Sequence, residues 1–207
     1  MEKFTAIVLA GGTGKRMHSH IHKQYLELAG NPVLYYALKA FEESDVTDIV
    51  LVTGADEETY CQREIIEKYH ISKVKAIVPG GAERYHSEYA GLCAADGADY
   101  VLIHDGARPL VTYDIICRSM EAVKEYHACV AGMPVKDTIK IADEDGYASM
   151  TPERSKVWQI QTPQSFSYPL IYEAYHKMLA NEDSAITDDA MVVERMTNQP
   201  VKLIEGS

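Results

Sequence analysis

The amino-acid sequence predicts an α/β protein with a mainly parallel sheet, helices on both faces and a protruding β-arm. Three observations carry that reading. Short apolar runs alternate with stretches of helical periodicity along the chain. The first run, Thr5-Ala6-Ile7-Val8-Leu9, opens directly into Ala10-Gly11-Gly12-Thr13-Gly14, as a buried strand opens into a glycine loop. The length, 207 residues of which 46% are hydrophobic, suits one domain, residues 1–207, with a substantial core.

The elements follow in order. Thr5 to Leu9 is the first strand. A helix is expected to begin at Pro32, a residue favoured in a first turn, and to carry Val33, Leu34, Ala37, Leu38 and Phe41 on one face. Asp48 to Thr53 is a strand, Asp56 to Tyr69 a helix, Val74 to Val78 a strand and Arg84 to Ala95 a helix. Tyr100 to His104 and Ala128 to Met133 read as strands around a helix from Tyr113 to Tyr126. The rhythm then breaks. Val135 to Ile141 alternates apolar and polar residues, and Asp145-Gly146 precedes Tyr147-Ala148-Ser149-Met150, which is a hairpin signal. An arm of this kind cannot bury both faces alone, so it is expected to pack on a second subunit. Asp143-Glu144-Asp145 falls at its tip and reads as a solvated turn rather than a metal site. Helices from Pro169 to Leu179 and Thr187 to Met196, and a strand from Val201 to Glu205, complete the pattern.

Composition excludes several classes. The 31 acidic against 20 basic residues give a formal net charge of -11, which argues against a nucleic-acid surface and leaves small anionic substrates open. No apolar run approaches the roughly 20 residues that span a bilayer, and no signal-peptide core follows Met1-Glu2-Lys3-Phe4, so a cytoplasmic protein without membrane contact is expected. Cys61, Cys93, Cys117 and Cys129 lack Cys-x-x-Cys spacing and read as reduced, packed thiols.

Chemistry concentrates at the first glycine loop. Glycines let backbone N–H groups converge on a phosphate, and Arg16 and Lys23 add positive charge in an otherwise acidic chain. Two familiar loops do not fit. A Walker A loop would need Gly at Leu9 and a hydroxyl at Arg16; a dinucleotide fingerprint starting at Gly12 would need Gly at Met17. Ligands of open α/β sheets bind beyond the carboxyl ends of strands, and that rule adds two further loops. One is Pro79-Gly80-Gly81-Ala82-Glu83-Arg84 with Ser87; the other is His104-Asp105-Gly106-Ala107-Arg108-Pro109. An Asp just past an apolar strand binds a sugar hydroxyl, a metal-bound phosphate or a nearby Arg, and a turn contact from Asp105 to Arg108 is the plainest of these. Thr187-Asp188-Asp189-Ala190 opens a later helix, where Thr187 suits an N-cap and equally a phosphate contact.

Together these motifs resemble the 2-C-methyl-D-erythritol 4-phosphate cytidylyltransferases. The resemblance runs from the first strand to Gly206, through the glycine loop, Lys23-Gln24-Tyr25-Leu26, His104 to Pro109, Pro134-Val135-Lys136-Asp137-Thr138, Gln161-Thr162-Pro163-Gln164 and Thr187 to Ala190. It implies a Rossmann-like nucleotidyltransferase fold and a homodimer exchanging an arm from about Pro134 to Arg154. It also implies a Mg2+-dependent reaction of CTP with a sugar-alcohol phosphate. Arg16 and Lys23 would be catalytic, at the transferring α-phosphorus. Ala10, Gly11, Gly12, Thr13, Gly14, Gly81, Ser87, Asp105 and Gly106 would bind the nucleotide. Thr138, Arg154 and Thr187 would bind the second substrate's phosphate, with Arg154 reaching across the dimer, and no metal ligand is assigned.

Two departures stand out. His18 replaces the glycine that follows the Arg-Met pair in the family, and it begins His18-Ser19-His20-Ile21-His22; with no Cys or carboxylate close by in sequence, these histidines read as incidental to a loop. The family pattern also continues past Ser207 into an Asn-x-Lys segment whose lysine helps hold the phosphates. Rival readings are a ribitol 5-phosphate cytidylyltransferase, a nucleotide-binding protein without turnover, and a metal-dependent glycosyltransferase. The last would require Asp-x-Asp at a strand end, where Asp105 is followed by Gly106-Ala107. Gly106-Ala107 and Asp189-Ala190 favour the methylerythritol enzyme over the ribitol one, and the choice of polyol stays open at the level of sequence.

Overall fold

The computed structural model describes residues 2–12, 22–181 and 186–207. Thr13, Gly14, Arg16, His18 and His20 lie outside the described residues.

Apolar runs with few polar interruptions become the strands of the main sheet, the central ones buried on both faces and the edge strand Val74–Pro79 only half-buried. They are β1 (Phe4–Ala10), then, after the two-residue strands β2 (Glu27–Leu28) and β3 (Asn31–Pro32), β4 (Asp48–Thr53), β5 (Val74–Pro79) and β6 (Tyr100–Asp105). β7 (Ala128–Pro134) follows, then β8 (Ile141–Ala142) and β9 (Ala148–Met150) in the arm, then β10 (Trp158–Ser167) and β11 (Lys202–Glu205). The main sheet has the order β11-β7-β10-β6-β1-β4-β5. β1 pairs in parallel with β4 and β6, β4 with β5 and β7 with β11, while β10 runs antiparallel to both β6 and β7. The strand order reverses on either side of β1, which opens a crevice at its carboxyl end.

The helices are α1 (Val33–Glu42), α2 (Glu58–Tyr60, continuing as a π-helical stretch Cys61–Glu67), α3 (Arg84–Ala94), α4 (Tyr113–Tyr126), α5 (Tyr168–Asn181) and α6 (Asp189–Met196). Alternation along β1 divides the core. Ala6 and Val8 join Leu34, Leu38 and Phe41 of α1, Cys61 and Ile65, and Ile116 and Val123 of α4. Ile7, on the opposite face, joins Leu92 of α3, Ile171 and Tyr175 of α5, and Val192 and Val193 of α6. Full burial of one such aliphatic side chain contributes about 1.5–3 kcal/mol, which anchors helices on both faces of the sheet.

Several boundaries differ from expectation for physical reasons. The helix expected at Pro32 begins one residue later: Pro32 is extended at ψ 143° and pairs with Glu27, so it is the cap, not the first turn. α4 matches, with Thr112 Oγ1 accepting from the Ile115 N–H and His127 ending the helix in left-handed geometry at φ 63°. Thr187 is not the cap of α6. That role belongs to Asp188, whose side chain accepts from the Met191 N–H. In the arm the alternating stretch from Val135 is not a continuous strand; only β8 and β9 pair, around a turn in which Asp143 Oδ1 accepts from the N–H groups of Asp145 and Tyr147. Asp143, Glu144 and Asp145 are exposed, as a solvated turn requires. All four cysteines are free thiols. Cys61 and Cys129 are buried, Cys117 is half-buried, and Cys93 is exposed rather than packed because it lies on the outer side of α3.

Candidate active site

Strand register sets the site. Ala10 pairs with Thr53 and Leu9 with Asp105, while Thr53 pairs with Pro79, so the ends of β1, β4, β5 and β6 share one edge. The loops leaving that edge enclose a cleft of about 630 Å3. Its lining includes Ala10, Gly11, Gly12, Lys23, Gly81, Ser87 and Asp105, all assigned from sequence, and also Gln24, Arg84 and Arg108, which were not.

The glycines hold backbone close to backbone. A Cβ on Gly11 would stand 2.9 Å from the Thr53 carbonyl oxygen, whereas one on Gly12 would meet nothing within 4 Å. The same Thr53 oxygen accepts from the Gly80 N–H at 2.7 Å, so one carbonyl joins the two glycine loops. Gly81 donates its N–H to Ser87 Oγ at 3.1 Å, and a Cβ there would lie 2.3 Å from His86 Cβ. Gly106 is placed differently. It is buried under the rim, its N–H bonded to the Leu9 carbonyl and its Cα facing Leu34, while Ala107 lines the cleft.

Lys23 begins a 3-10 turn, Lys23–Tyr25, at the mouth of the cleft. Two neighbours fix that turn. Gln24 is buried and donates from Nε2 to the Ala10 carbonyl, stitching the turn to the end of β1. Tyr25 donates to Glu57 Oε2 at 2.8 Å, and Glu57 Oε1 lies 2.7 Å from His22 Nδ1. His22 is thus occupied by a carboxylate distant in sequence. Among the described residues no group of three or more His, Cys, Asp or Glu side chains gathers to hold a metal.

Asp105 sits between two arginines. Its Oδ2 pairs with Arg108 Nε at 2.9 Å and its Oδ1 with Arg84 Nη1 at 3.1 Å. The turn contact expected from sequence therefore forms, and a second arginine joins it. Burial by itself would raise the Asp105 carboxyl, but Arg84 and Arg108 outweigh it and hold the group below the usual carboxylate range. Arg84 also contacts Glu88 Oε1 through Nε at 2.6 Å and approaches Asp189 Oδ2 at 3.9 Å. Beneath the rim, buried His104 links Arg108 and β10: its Nε2 is 3.1 Å from the Arg108 carbonyl and its Nδ1 is 2.9 Å from Thr162 Oγ1. Burial lowers the His104 ring to about 4, so the imidazole is neutral near pH 7.

The second-phosphate residues lie elsewhere. Thr138 and Arg154 are exposed on the arm, where Arg154 Nη1 donates to the Lys136 carbonyl at 3.1 Å. Thr187 is exposed just before α6, its hydroxyl against Met191 Sδ. Among the described residues no hydrogen bond joins these three side chains, and none lines the cleft. The site within one chain is therefore a glycine-walled anion cleft with a lysine at its mouth and a clamped carboxylate at its far side.

Comparison with known proteins gives a consistent picture. The family model described as 2-C-methyl-D-erythritol 4-phosphate cytidylyltransferase matches residues 4–207. A protein of that name from Lachnoclostridium phytofermentans is 50% identical over 206 residues, covering 100% of this chain and 88% of the relative. One from Lachnospira eligens is 53% identical over 202 residues, covering 97% and 88%. Among solved structures, 4-diphosphocytidyl-2C-methyl-D-erythritol synthase from Anaerococcus prevotii superposes with a TM-score of 0.88 at 33% identity, covering 100% of this chain and 88% of that one.

Proposed function

The chain belongs to the 2-C-methyl-D-erythritol 4-phosphate cytidylyltransferase family, and from that premise we propose how its residues carry the reaction. It is a nucleotidyltransferase that joins CTP and 2-C-methyl-D-erythritol 4-phosphate to give 4-diphosphocytidyl-2-C-methyl-D-erythritol and pyrophosphate. The observation that carries this reading is the cleft at the carboxyl ends of β1, β5 and β6, where the glycine loop, Lys23 and Asp105 converge.

The phosphate oxygen of the second substrate attacks the α-phosphorus of CTP in line, and pyrophosphate departs. Negative charge grows on the nonbridging oxygens, so cations fixed beside the phosphorus lower the barrier. Lys23 takes that role, held by the buried Gln24 and by Tyr25, and Arg16 joins it by family resemblance. By family resemblance the amides of the glycine loop cradle the triphosphate, Ala10, Gly81 and Ser87 meet cytosine, and Asp105 meets the ribose. Mg2+ fits as a companion of the triphosphate, because both oxygens of Asp105 already face arginines and magnesium binds readily through phosphates and water.

The second phosphate falls to Thr138, Arg154 and Thr187. Arg154 is exposed on an arm whose Ile141, Tyr147 and Met150 are 45%, 74% and 53% exposed. That apolar surface supports a homodimer in which each arm completes the partner's site, as family resemblance implies. Among the described residues no helix is long and apolar enough to cross a membrane. Four free cysteines fit a reducing compartment such as the cytoplasm. The relatives described above carry the methylerythritol name, which supports that substrate over the ribitol and the non-catalytic alternatives.

The test is pyrophosphate release with CTP and Mg2+, comparing methylerythritol 4-phosphate with ribitol 5-phosphate. Turnover with the first, at a kcat/KM at least about 100-fold higher, is expected. Preference for ribitol phosphate overturns the substrate assignment.

A further inference from the structure

Behind the cleft a group of charged side chains meets from four elements. α3 supplies Arg84 and Glu88, the end of β6 supplies Asp105, α5 supplies Tyr175, and α6 supplies Asp189 with Asp188 just before it; Arg108 closes on Asp105 from the other side. Glu88 and Asp189 are 2% and 0% exposed. Between them lies the buried Tyr175 hydroxyl, 2.6 Å from Glu88 Oε2 and 2.8 Å from Asp189 Oδ1. Both are hydrogen-bond lengths, yet a hydroxyl carries a single hydrogen. With both carboxyls ionised, one of these contacts would set lone pair against lone pair in a low-dielectric interior.

One carboxyl must therefore carry a proton and donate it to the Tyr175 oxygen. The two remaining oxygens, Glu88 Oε1 and Asp189 Oδ2, accept no hydrogen bond among the described residues and face Arg84. The charge count agrees. The three carboxyls that face the arginines, Glu88, Asp105 and Asp189, balance Arg84 and Arg108 when they hold one proton; Asp188, at the cap of α6, adds one negative charge beyond them, and loss of the shared proton doubles that excess. Burial acts in the same direction, raising Glu88 well above its ordinary value and Asp189 to about 6.

We propose that Glu88 is a positioning residue for nucleotide binding: sharing one proton with Asp189 through Tyr175, it presents a balanced charge to Arg84 and leaves that guanidinium in place on Asp105. Deprotonation draws Arg84 toward the buried pair and loosens Asp105 at the ribose end of the cleft. This inference rests on the assignment of Asp105 to the nucleotide.

The test is the CTP KM and kcat of the wild type, Glu88→Gln and Glu88→Ala from about pH 6 to about pH 9. Glu88→Ala is expected to raise the CTP KM about tenfold with kcat within about twofold, and Glu88→Gln, shaped like the protonated acid, to bring KM back to within about threefold of wild type. The wild-type CTP KM rises toward alkaline pH, and that rise is absent in Glu88→Gln. A Glu88→Gln enzyme as impaired as Glu88→Ala, or one that keeps the alkaline rise, overturns the proposal. Should Glu88→Ala not fold, the comparison of wild type with Glu88→Gln decides alone. A wild type that turns over no CTP would instead overturn the reading of the site, so the two failures are distinct.

Discussion

Gly11 and Arg154 are both assigned to phosphates, yet one chain encloses the first and leaves the second open. Around Gly11, backbone approaches backbone closely enough that an added Cβ would lie 2.9 Å from the Thr53 oxygen, and buried Gln24 ties Lys23 to β1. Around Arg154 the chain offers the Lys136 carbonyl and solvent; every residue from 136 to 151 is exposed. Under the proposed function, the difference divides the site into a nucleotide half shaped by the fold of a single chain and a second-phosphate half assigned to residues that the same chain leaves exposed.

The largest expected effect strikes the shaped half. Lys23→Ala should lower kcat by about 100- to 1,000-fold, since it removes a fixed cation from the transferring phosphorus, as measured by pyrophosphate release at saturating substrates. A loss confined to KM would place Lys23 in ground-state binding instead. His104 sharpens the same contrast through pH. Its ring is neutral in the fold, lowered from 6.5 to about 4, so the unfolded chain binds the extra proton and stability falls as pH drops from about 6.5 to about 4, by about 3 kcal/mol in all. Glu88 and Asp189 act oppositely, because raised acids favour the fold when protonated and lose that contribution as pH climbs above the ordinary carboxylate range. Urea unfolding of wild type against His104→Gln isolates the first slope; the variant should lose it and keep the second.

A smaller effect is expected from the glycines. Gly11→Ala should cost about 2 kcal/mol in stability, while Gly12→Ala, whose Cβ meets nothing, costs little; equal losses would mean that the Thr53 approach does not shape the loop. The smallest belongs to the open half. Arg154→Ala should raise the methylerythritol phosphate KM about tenfold and leave the CTP KM unchanged, because an exposed arginine binds without organising the cleft. A parallel rise in the CTP KM would erase the distinction between the halves.

Much of the shaped half was legible in sequence because its signals are local. Apolar runs such as Asp48–Thr53 coincide with strands, and the glycines after β1 and β5 stand out directly behind those runs, although the contact that demands Gly11 comes from Thr53, distant in sequence, and only Gly80 and Gly81 answer to neighbours a few residues on. β10 was not legible. Its segment Trp158–Ser167 contains Gln159, Gln161, Pro163 and Gln164, its ladder to β7 shifts register between Ile160 and Gln164, and its buried Thr162 and Gln164 are satisfied by His104 and α6 rather than by apolar neighbours. Arg84 was missed for a related reason. Its position matches a helix start; Glu88 lies one turn further along the same helix, and only the fold brings Asp105 and Asp189 to it from two other elements. In the arm, alternation promised a longer hairpin than forms, because a period-two pattern states which faces differ but not what covers them.

The most direct test mixes two impaired chains. Lys23→Ala retains an intact arm and Arg154→Ala an intact cleft, so if each arm serves the partner's cleft, an equal mixture at limiting methylerythritol phosphate restores one whole site in each mixed dimer. Random pairing makes half of the dimers mixed, and activity should reach about one quarter of wild type. Activity no greater than the mean of the two variants would contradict the division of the site between one chain's cleft and another's arm.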